Sequence, residues 1–264
     1  MKNYKEFLKM NESWVEGIND MAKYNPMIDY TLLDNNASDE EIIQLCEKAR
    51  MFEVKSVCVM PKHVKLATEQ LADCGVLVCT VISFPEGTNS LQEKETETRQ
   101  VVADGADEVD MVLDYTFLKD EWHEKDDLPM EKFDKMVEEI EALVDICHAS
   151  KNKTGEAIIL KVIVESGLLT VKQTKVATHA CLDAGADFIK TSTGKVAVGA
   201  ELDKIKAMYD IIEEFGEYPM KIKASGGVRD MNDLTTYGQY VDRFGMGWQS
   251  VDALNGVDAQ GEGY

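Results

Sequence analysis

The chain has 264 residues, of which 44% are hydrophobic and 29% are charged, values that are typical of a globular protein. The formal net charge of −21 makes nucleic acid and anionic membranes poor partners. The sequence contains no apolar run of about 18 residues, so it predicts no transmembrane helix. Its N-terminus lacks the apolar core of a signal peptide. We therefore expect a cytoplasmic protein.

Cysteine and histidine usage argues against a metal or disulfide framework. None of the six cysteines forms a Cys-x-x-Cys pair, so reduced and mostly buried thiols are expected. The four histidines show no metal-ligand spacing. We expect no metal, although scattered carboxylates could still meet in the fold.

Predicted strands and helices alternate along the chain. Residues 1–24 are predicted as an amphipathic helical extension, and the Gly-rich residues 255–264 as a mobile tail. An acidic loop is predicted over 115–129. Strands are predicted at 27–33, 54–59, 76–84, 108–113, 157–164, from 188, at 220–224 and at 241–245. Helices are predicted at 38–50, 61–72, 91–103, 130–149, 171–183, 201–215, 232–237 and from 248.

Eight strand-then-helix units in one chain of this length predict an α/β fold, a single (β/α)8 barrel (TIM barrel) spanning residues 1–264. The mostly apolar strands indicate a parallel sheet covered by helices. An open doubly wound sheet is the alternative. It would call for Gly-x-Gly-x-x-Gly after the first strand, and the sequence has none.

Charged residues fall on the predicted strands, where a barrel carries its chemistry at the strand ends. Lys161, Lys190 and Lys223 would crowd one lumen together with Asp110. Burial and like charges both lower the pKa of a lysine, and an uncharged amine attacks carbonyls. A structural ion pair is the competing interpretation, above all between Lys161 and Asp110.

Glycine-bearing loops follow the last three strands and predict an anion site. Glycines let backbone N–H groups approach an anion, and the last two loops of such barrels commonly bind phosphate. Two basic side chains in these loops supply positive charge. The residues concerned are Gly194, Lys195, Gly226, Gly227, Arg229, Gly245 and Gly247.

Four segments together resemble the 2-deoxyribose-5-phosphate aldolases, a family of class I, Schiff-base-forming aldolases on a (β/α)8 barrel. The most specific is Phe188-Ile189-Lys190-Thr191-Ser192-Thr193-Gly194-Lys195. The others are Gly105-Ala106-Asp107-Glu108-Val109-Asp110, Leu160-Lys161-Val162-Ile163-Val164-Glu165-Ser166-Gly167 and Lys223-Ala224-Ser225-Gly226-Gly227-Val228-Arg229. The resemblance covers nearly the whole chain.

This resemblance implies reversible cleavage of 2-deoxy-D-ribose 5-phosphate to D-glyceraldehyde 3-phosphate and acetaldehyde. Lys190 would form the Schiff base, Lys223 would keep that amine uncharged, and Asp110 would manage protons through a water. The C-terminal Tyr264 would assist proton transfer. No metal or organic cofactor would be needed. Asp29, Cys58 and Lys161 would line the pocket or neighbour the reacting group, and the glycine-loop residues named above would surround the phosphate.

Other interpretations stay open. One is a Schiff-base aldolase on the same barrel that uses a ketone donor such as dihydroxyacetone phosphate; another is a non-catalytic phosphosugar-binding barrel. The expected partners are small aldehydes and a phosphosugar. The oligomeric state is open, with a homodimer as one option.

The chain departs from the resemblance after Phe244-Gly245. Better-known members carry a small residue and then phosphate-binding serines, whereas this chain reads Met246-Gly247-Trp248-Gln249-Ser250. We expect weaker phosphate binding and better tolerance of unphosphorylated aldehydes.

Overall fold

Eight short strands, rich in aliphatic residues, form the centre of the computed structural model, which describes residues 21–119, 129–215 and 219–257. All are parallel and pair in chain order, and β1 also pairs with β8, so the sheet closes into a barrel. The predicted (β/α)8 architecture is confirmed. The strands are β1 Ile28–Leu32, β2 Ser56–Val59, β3 Leu77–Ile82, β4 Glu108–Val112, β5 Ile159–Ile163, β6 Phe188–Lys190, β7 Lys221–Ser225 and β8 Arg243–Gly247.

Helices connect consecutive strands and cover the outside of the barrel. Among the described helices, none combines the length and the apolar character needed to cross a membrane. The α-helices are Asp39–Phe52, Val64–Gln70, Leu91–Ala103, Thr116–Lys119, Met130–His148, Val171–Asp183, Leu202–Phe215, Met231–Tyr237 and Trp248–Leu254. Single 3-10 turns lie at Asn25–Met27, Pro61–His63 and Ser166–Leu168.

Capping boxes fix where four of these helices begin. Ser38, Ser90, Thr170 and Asp230 each accept the backbone N–H three residues on, whose own side chain returns to the cap. This reciprocal pairing satisfies N–H groups that the first helical turn leaves without partners. Each cap therefore fixes where the loop from the C-terminal end of a strand passes into its helix.

Several predicted boundaries change. The acidic loop contains the short helix Thr116–Lys119, and residues 120–128 lie outside the described part. The last strand is Arg243–Gly247, later than expected, because its pairing with β1 extends to Gly247. Of the predicted N-terminal helix, 21–24 are helical and 1–20 lie outside the described residues. In the predicted tail, Asn255 hydrogen-bonds to Asn25 and Val257 packs on the core, while 258–264 are not described.

The barrel separates an apolar outer layer from a polar lumen. Alternate strand residues such as Val57, Val109 and Ile189 are buried beneath the helices. The interleaved positions include charged residues with no exposed surface, among them Asp110 and Lys161. The first set supplies the hydrophobic stabilisation, and the second places charge inside the barrel.

A second buried charge lies outside the lumen. Lys94, on the helix after β3, has 0% exposed surface; it donates to the Glu139 carboxylate and to the Val112 carbonyl at the end of β4. Burial raises the pKa of Glu139, although Lys94 partly offsets this effect. This pair joins two outer helices to the end of the strand that carries Asp110.

We predict that Lys94→Met destabilises the protein by about 3–5 kcal/mol, because it leaves the Glu139 carboxylate buried without its partner. Urea unfolding measures the change. Lys94→Met/Glu139→Leu should recover most of the loss, since both charges are then gone. Lys135→Met, in an exposed pair with Glu131, is the control and should hardly move the unfolding midpoint. Equal losses in the two single variants would contradict the prediction.

Candidate active site

Strand register brings the predicted lysines and aspartates into one lumen. Lys161 on β5 pairs in register with Asp110 on β4, and Lys190 on β6 pairs with Lys223 on β7. Asp29 lies on β1, opposite Gly245. Asp29, Asp110, Lys161 and Lys223 have 0% exposed surface and Lys190 has 3%, so the charges lie away from bulk water.

Asp110 is the centre of this cluster. Its Oδ2 accepts hydrogen bonds from Lys190 Nζ and Lys223 Nζ, each at 2.7 Å. Its Oδ1 accepts from Lys161 Nζ at 2.8 Å and lies 3.1 Å from the Cys79 sulfur. One carboxylate therefore holds all three lysines, and the ion pair between Lys161 and Asp110 foreseen from the sequence is present.

A second layer of ion pairs lies beneath. Glu108 accepts from Lys161 Nζ at 2.7 Å and from Arg243 at 2.9 Å. Arg243 also contacts Asp29 Oδ1 at 2.5 Å, and Asp29 accepts from Lys223 and from Ser56 Oγ. The carboxylates thus alternate with the cations, which is how a protein reduces the cost of burying charge.

The expectation that crowding lowers lysine pKa values is wrong for Lys161 and Lys223. Burial would lower the pKa of Lys223, but Asp110 and Asp29 outweigh it and raise that pKa. The pKa of Lys161 is raised in the same way, with Asp110 the strongest opposing charge. Burial alone would raise the pKa of Asp110, yet the lysines hold it well below its usual range. Both lysines therefore remain charged.

The described lumen contains one more basic group than acidic groups. The cations are Lys161, Lys190, Lys223 and Arg243, and the carboxylates are Asp29, Glu108 and Asp110. An excess buried charge is costly.

Two thiols complete the lumen wall. Cys58 and Cys79 are paired in register on β2 and β3, and both are fully buried. Cys58 packs under Leu33, which lines the pocket described below. Cys58, Cys79 and Asp110 place donor atoms within 4.8 Å of one another. The carboxylate of Asp110 already accepts hydrogen bonds from three lysines, so a cation would have to displace them.

A pocket of about 290 Å³ opens above the cluster at the C-terminal ends of the strands. Lys190 reaches it, whereas Lys161 and Lys223 lie below its lining. The floor and walls come mainly from the loops after β6, β7 and β8. The lining residues are Thr31, Leu33, Lys190, Thr193, Gly194, Ser225, Gly226, Gly227, Val228, Arg229, Gly245, Met246, Gly247, Gln249 and Ser250.

The structure separates the two basic residues expected at an anion. Arg229 is exposed and lines the pocket. Lys195 does not line it, because its Nζ bonds to the Leu33 carbonyl at 3.1 Å and lies over the Phe84 ring. Trp248 also lies outside the lining and packs beside Lys48. Gln249 and Ser250, the next two residues, line the pocket.

Glycines keep the loops after β6 and β7 close together. A Cβ on Gly199 would lie 2.0 Å from the Gly226 carbonyl oxygen, and that oxygen accepts the Ala200 N–H. Gly194, Gly226 and Gly227 have φ between 79° and 82°, a region that other residues rarely adopt. These loops therefore require glycine for both close approach and backbone conformation.

Comparison with known proteins agrees with this geometry. Residues 20–237 match the model of the DeoC/LacD family aldolases. The chain belongs to this family.

Relatives and solved structures support the assignment. The chain is 41% identical over 208 residues to deoxyribose-phosphate aldolase 2 of Staphylococcus aureus, covering 79% of this chain and 84% of the relative. It is 42% identical over 208 residues to deoxyribose-phosphate aldolase of Mycoplasmoides pirum, covering 79% and 86%. The structure of an aldolase called QR15 superposes with a TM-score of 0.72 at 33% identity, covering 86% and 92%.

A more distant structure shows the shared fold. Deoxyribose phosphate aldolase from Aeropyrum pernix, described as a tetramer, matches with a TM-score of 0.74 at 24% identity, covering 91% and 94%. The family members that the comparisons name are aldolases, which are lyases.

Sequence reasoning missed three acidic or basic residues near the site. Glu108 lies two positions before Asp110 and therefore shares its face of β4, a signal that was available. Arg243 was seen on its strand but not placed in the cluster. Glu165 left no such signal, because it follows β5 in a turn. Tyr264 lies outside the described residues.

We predict that Gly199→Ala destabilises the protein by about 1–3 kcal/mol, because the added methyl group must push the Gly226 loop away. Thermal or urea unfolding measures the loss. Gly75→Ala is the control: its added Cβ meets nothing within 4 Å and its φ is ordinary. Equal stability of the two variants would show that the loops are not in tight contact.

Proposed function

We propose that this chain is a class I aldolase that reversibly cleaves 2-deoxy-D-ribose 5-phosphate to D-glyceraldehyde 3-phosphate and acetaldehyde. The observation that carries the proposal is Lys190, the lysine of the cluster that lines the pocket while touching Asp110. Membership of the aldolase family and the names of the relatives support it.

Lys190 is the proposed Schiff-base residue. Its amine would attack the aldehyde carbon, loss of water would give an iminium, and loss of an α-proton would give an enamine. The position of Lys190 supports this role, because it is the lysine of the cluster that lines the pocket. Asp110 raises the pKa of Lys161 and of Lys223, so these two lysines stay charged.

Asp110 and Lys223 are the proposed proton-handling pair. Both Lys190 and Lys223 bond to the same carboxylate oxygen, so the ammonium of Lys223 is placed beside the reacting amine. A fixed positive charge there disfavours a second one on Lys190 and stabilises negative charge that develops on a leaving hydroxide. Lys161 and Asp29 hold Asp110 and Lys223 in this arrangement.

The far end of the pocket is the proposed phosphate site. Gly194, Gly226, Gly227 and Gly247 leave its wall open to backbone contact, and Arg229 adds positive charge. Ser250 supplies a hydroxyl at the rim. Lys195, turned to the Leu33 carbonyl, would contribute through the potential of its charge and not by lining the wall.

We predict that acetaldehyde with borohydride leaves a stable adduct at Lys190, because reduction traps the iminium as a secondary amine. Peptide mass mapping locates the adduct. Lys190→Leu should remove both the adduct and the activity, whereas Lys221→Leu, an exposed lysine on β7, should retain both. Absence of an adduct in the intact wild-type protein would favour a phosphosugar-binding barrel. An adduct formed with dihydroxyacetone phosphate and not with acetaldehyde would favour a ketone-donor aldolase.

The departure at Gly247 is proposed to weaken phosphate binding. Replacing a serine with glycine removes a hydroxyl, and a hydrogen bond to a charged group contributes about 1.5–3 kcal/mol. The site can accept the missing side chain: Gly247 has φ −59° and a Cβ there would meet only Gln249 Oε1, at 3.8 Å.

We therefore predict that Gly247→Ser raises kcat/KM for deoxyribose 5-phosphate by about tenfold or more, the equivalent of one such bond. The value for unphosphorylated deoxyribose should hardly change. Gly247→Ala, which adds carbon without a hydroxyl, is the matched control and should show no gain. A wild-type enzyme that already rejects deoxyribose strongly, or an equal effect of both variants, would contradict the proposal.

A further inference from the structure

One buried carboxylate beside the pocket has no place in the chemistry above. Glu165, directly after β5, has 1% exposed surface. Its backbone lies in the left-handed region, with φ 51° and ψ 53°, which is strained for a residue with a side chain. Such strain persists only where the surroundings enforce it, and it is concentrated at functional sites.

The carboxylate of Glu165 accepts hydrogen bonds from a single residue of the loop after β6, Thr193. It accepts the Thr193 backbone N–H at 3.2 and 3.3 Å and the Thr193 hydroxyl at 2.5 Å. The Thr193 oxygen in turn accepts the Lys195 N–H at 3.1 Å. This chain of hydrogen bonds fixes the turn on both sides of Gly194.

That turn is part of the pocket, whereas Glu165 is not. Thr193 and Gly194 line the pocket wall, and Lys190 lies three residues earlier on the same segment. The Ser166 N–H also bonds to the Thr191 carbonyl at 2.7 Å, so β5 and the end of β6 are tied at two points. The strained turn after β5 is what aims the carboxylate at the loop after β6.

The hydrogen bonds from the Thr193 N–H and hydroxyl to Glu165 form a clamp on the loop after β6. Burial raises the pKa of Glu165, and the two bonds from Thr193 and the charges of Lys190 and Lys119 only partly offset that rise. The carboxylate also contributes to raising the pKa of Tyr115, after burial. Glu165 is therefore a carboxylate with its hydrogen-bond acceptors turned to one loop.

We propose that Glu165 is a positioning residue that pre-organises the Thr193–Lys195 turn for the phosphate group of the substrate. The proposal rests on the proposed function and extends it to a residue that touches no substrate. Without the clamp, the turn would have to be ordered each time phosphate binds, and that cost lowers affinity. The effect should fall on phosphate binding more than on carbon–carbon bond cleavage.

The test separates binding from chemistry. Glu165→Gln keeps the shape, and its one carbonyl oxygen can still accept the Thr193 N–H. The NH2 group that replaces the other carboxylate oxygen cannot accept the hydroxyl proton. We expect KM for deoxyribose 5-phosphate to rise about tenfold with kcat changed less than about twofold, the loss expected for a charge-assisted hydrogen bond. Inorganic phosphate, titrated by its effect on Tm, should bind about tenfold more weakly.

Four further variants show whether a loss of phosphate affinity comes from the broken hydrogen bonds or from misfolding. Thr193→Val removes the partner hydroxyl, and the double variant with Glu165→Gln should be hardly worse than either alone, since both break one chain of bonds. Glycine adopts the left-handed backbone without strain but supplies no carboxylate. Glu165→Gly should therefore fold well and yet bind phosphate as weakly as Glu165→Gln does. Glu138→Gln, exposed on Met130–His148, is the control and should match the wild type.

Clear outcomes would overturn the proposal. They are wild-type phosphate affinity in Glu165→Gly, additive effects in the double variant, equal losses of kcat and of phosphate affinity, or no phosphate binding by the wild type. Failure of the aldolase function is distinguishable, because it appears as a missing acetaldehyde adduct at Lys190 while phosphate affinity still reports on the clamp.

Discussion

The rest of the site depends on how Asp110 is buried. Three ammonium groups in one barrel lumen would repel each other and lose their hydration. Asp110 makes the arrangement stable because its two oxygens contact Lys161, Lys190 and Lys223 at 2.7–2.8 Å. The strands fix this geometry, since Lys161 pairs in register with Asp110. Lys190, the proposed Schiff-base residue, is therefore placed by backbone pairing and by a carboxylate that its neighbours keep ionised.

The barrel distributes charge in layers. Arg243, Glu108 and Asp29 form the lower layer, and Asp110 with Lys190 forms the upper one, next to the pocket. All three charges of the lower layer are paired, because each of these groups contacts a group of opposite charge. Lys190 is the lysine of the cluster that lines the pocket, so it is the part of the upper layer that a ligand can reach. This division separates the buried ion pairs from the lysine that we propose as the nucleophile.

The fold was largely readable from the sequence, because apolar strand patterns and helix patterns alternate eight times along the chain. The site was readable as a set of residue types on strand ends, and Asp110, Lys161, Lys190 and Lys223 do meet. The sequence could not reveal which strand residues lie side by side in the barrel and so which charges form ion pairs. Without the register, three lysines indicated mutual repulsion and lowered pKa values, whereas the carboxylates reverse that sign for Lys161 and Lys223. Side-chain direction was equally hidden for Lys195 and Trp248, which turn away from the pocket.

Two buried carboxylates show how environment divides one chemical group between two tasks. Asp110 lies among lysine side chains, which lower its pKa, and it forms ion pairs with them. Glu165 lies at the rim, where burial raises its pKa and where its bonds go to a backbone N–H and a hydroxyl. Asp110 holds the amine of Lys190, and Glu165 holds the loop that continues from it. Lys190 and Thr193 belong to one short segment. Asp110 in the lumen binds the first of them and Glu165 at the rim binds the second, so the segment is fixed at both of its ends.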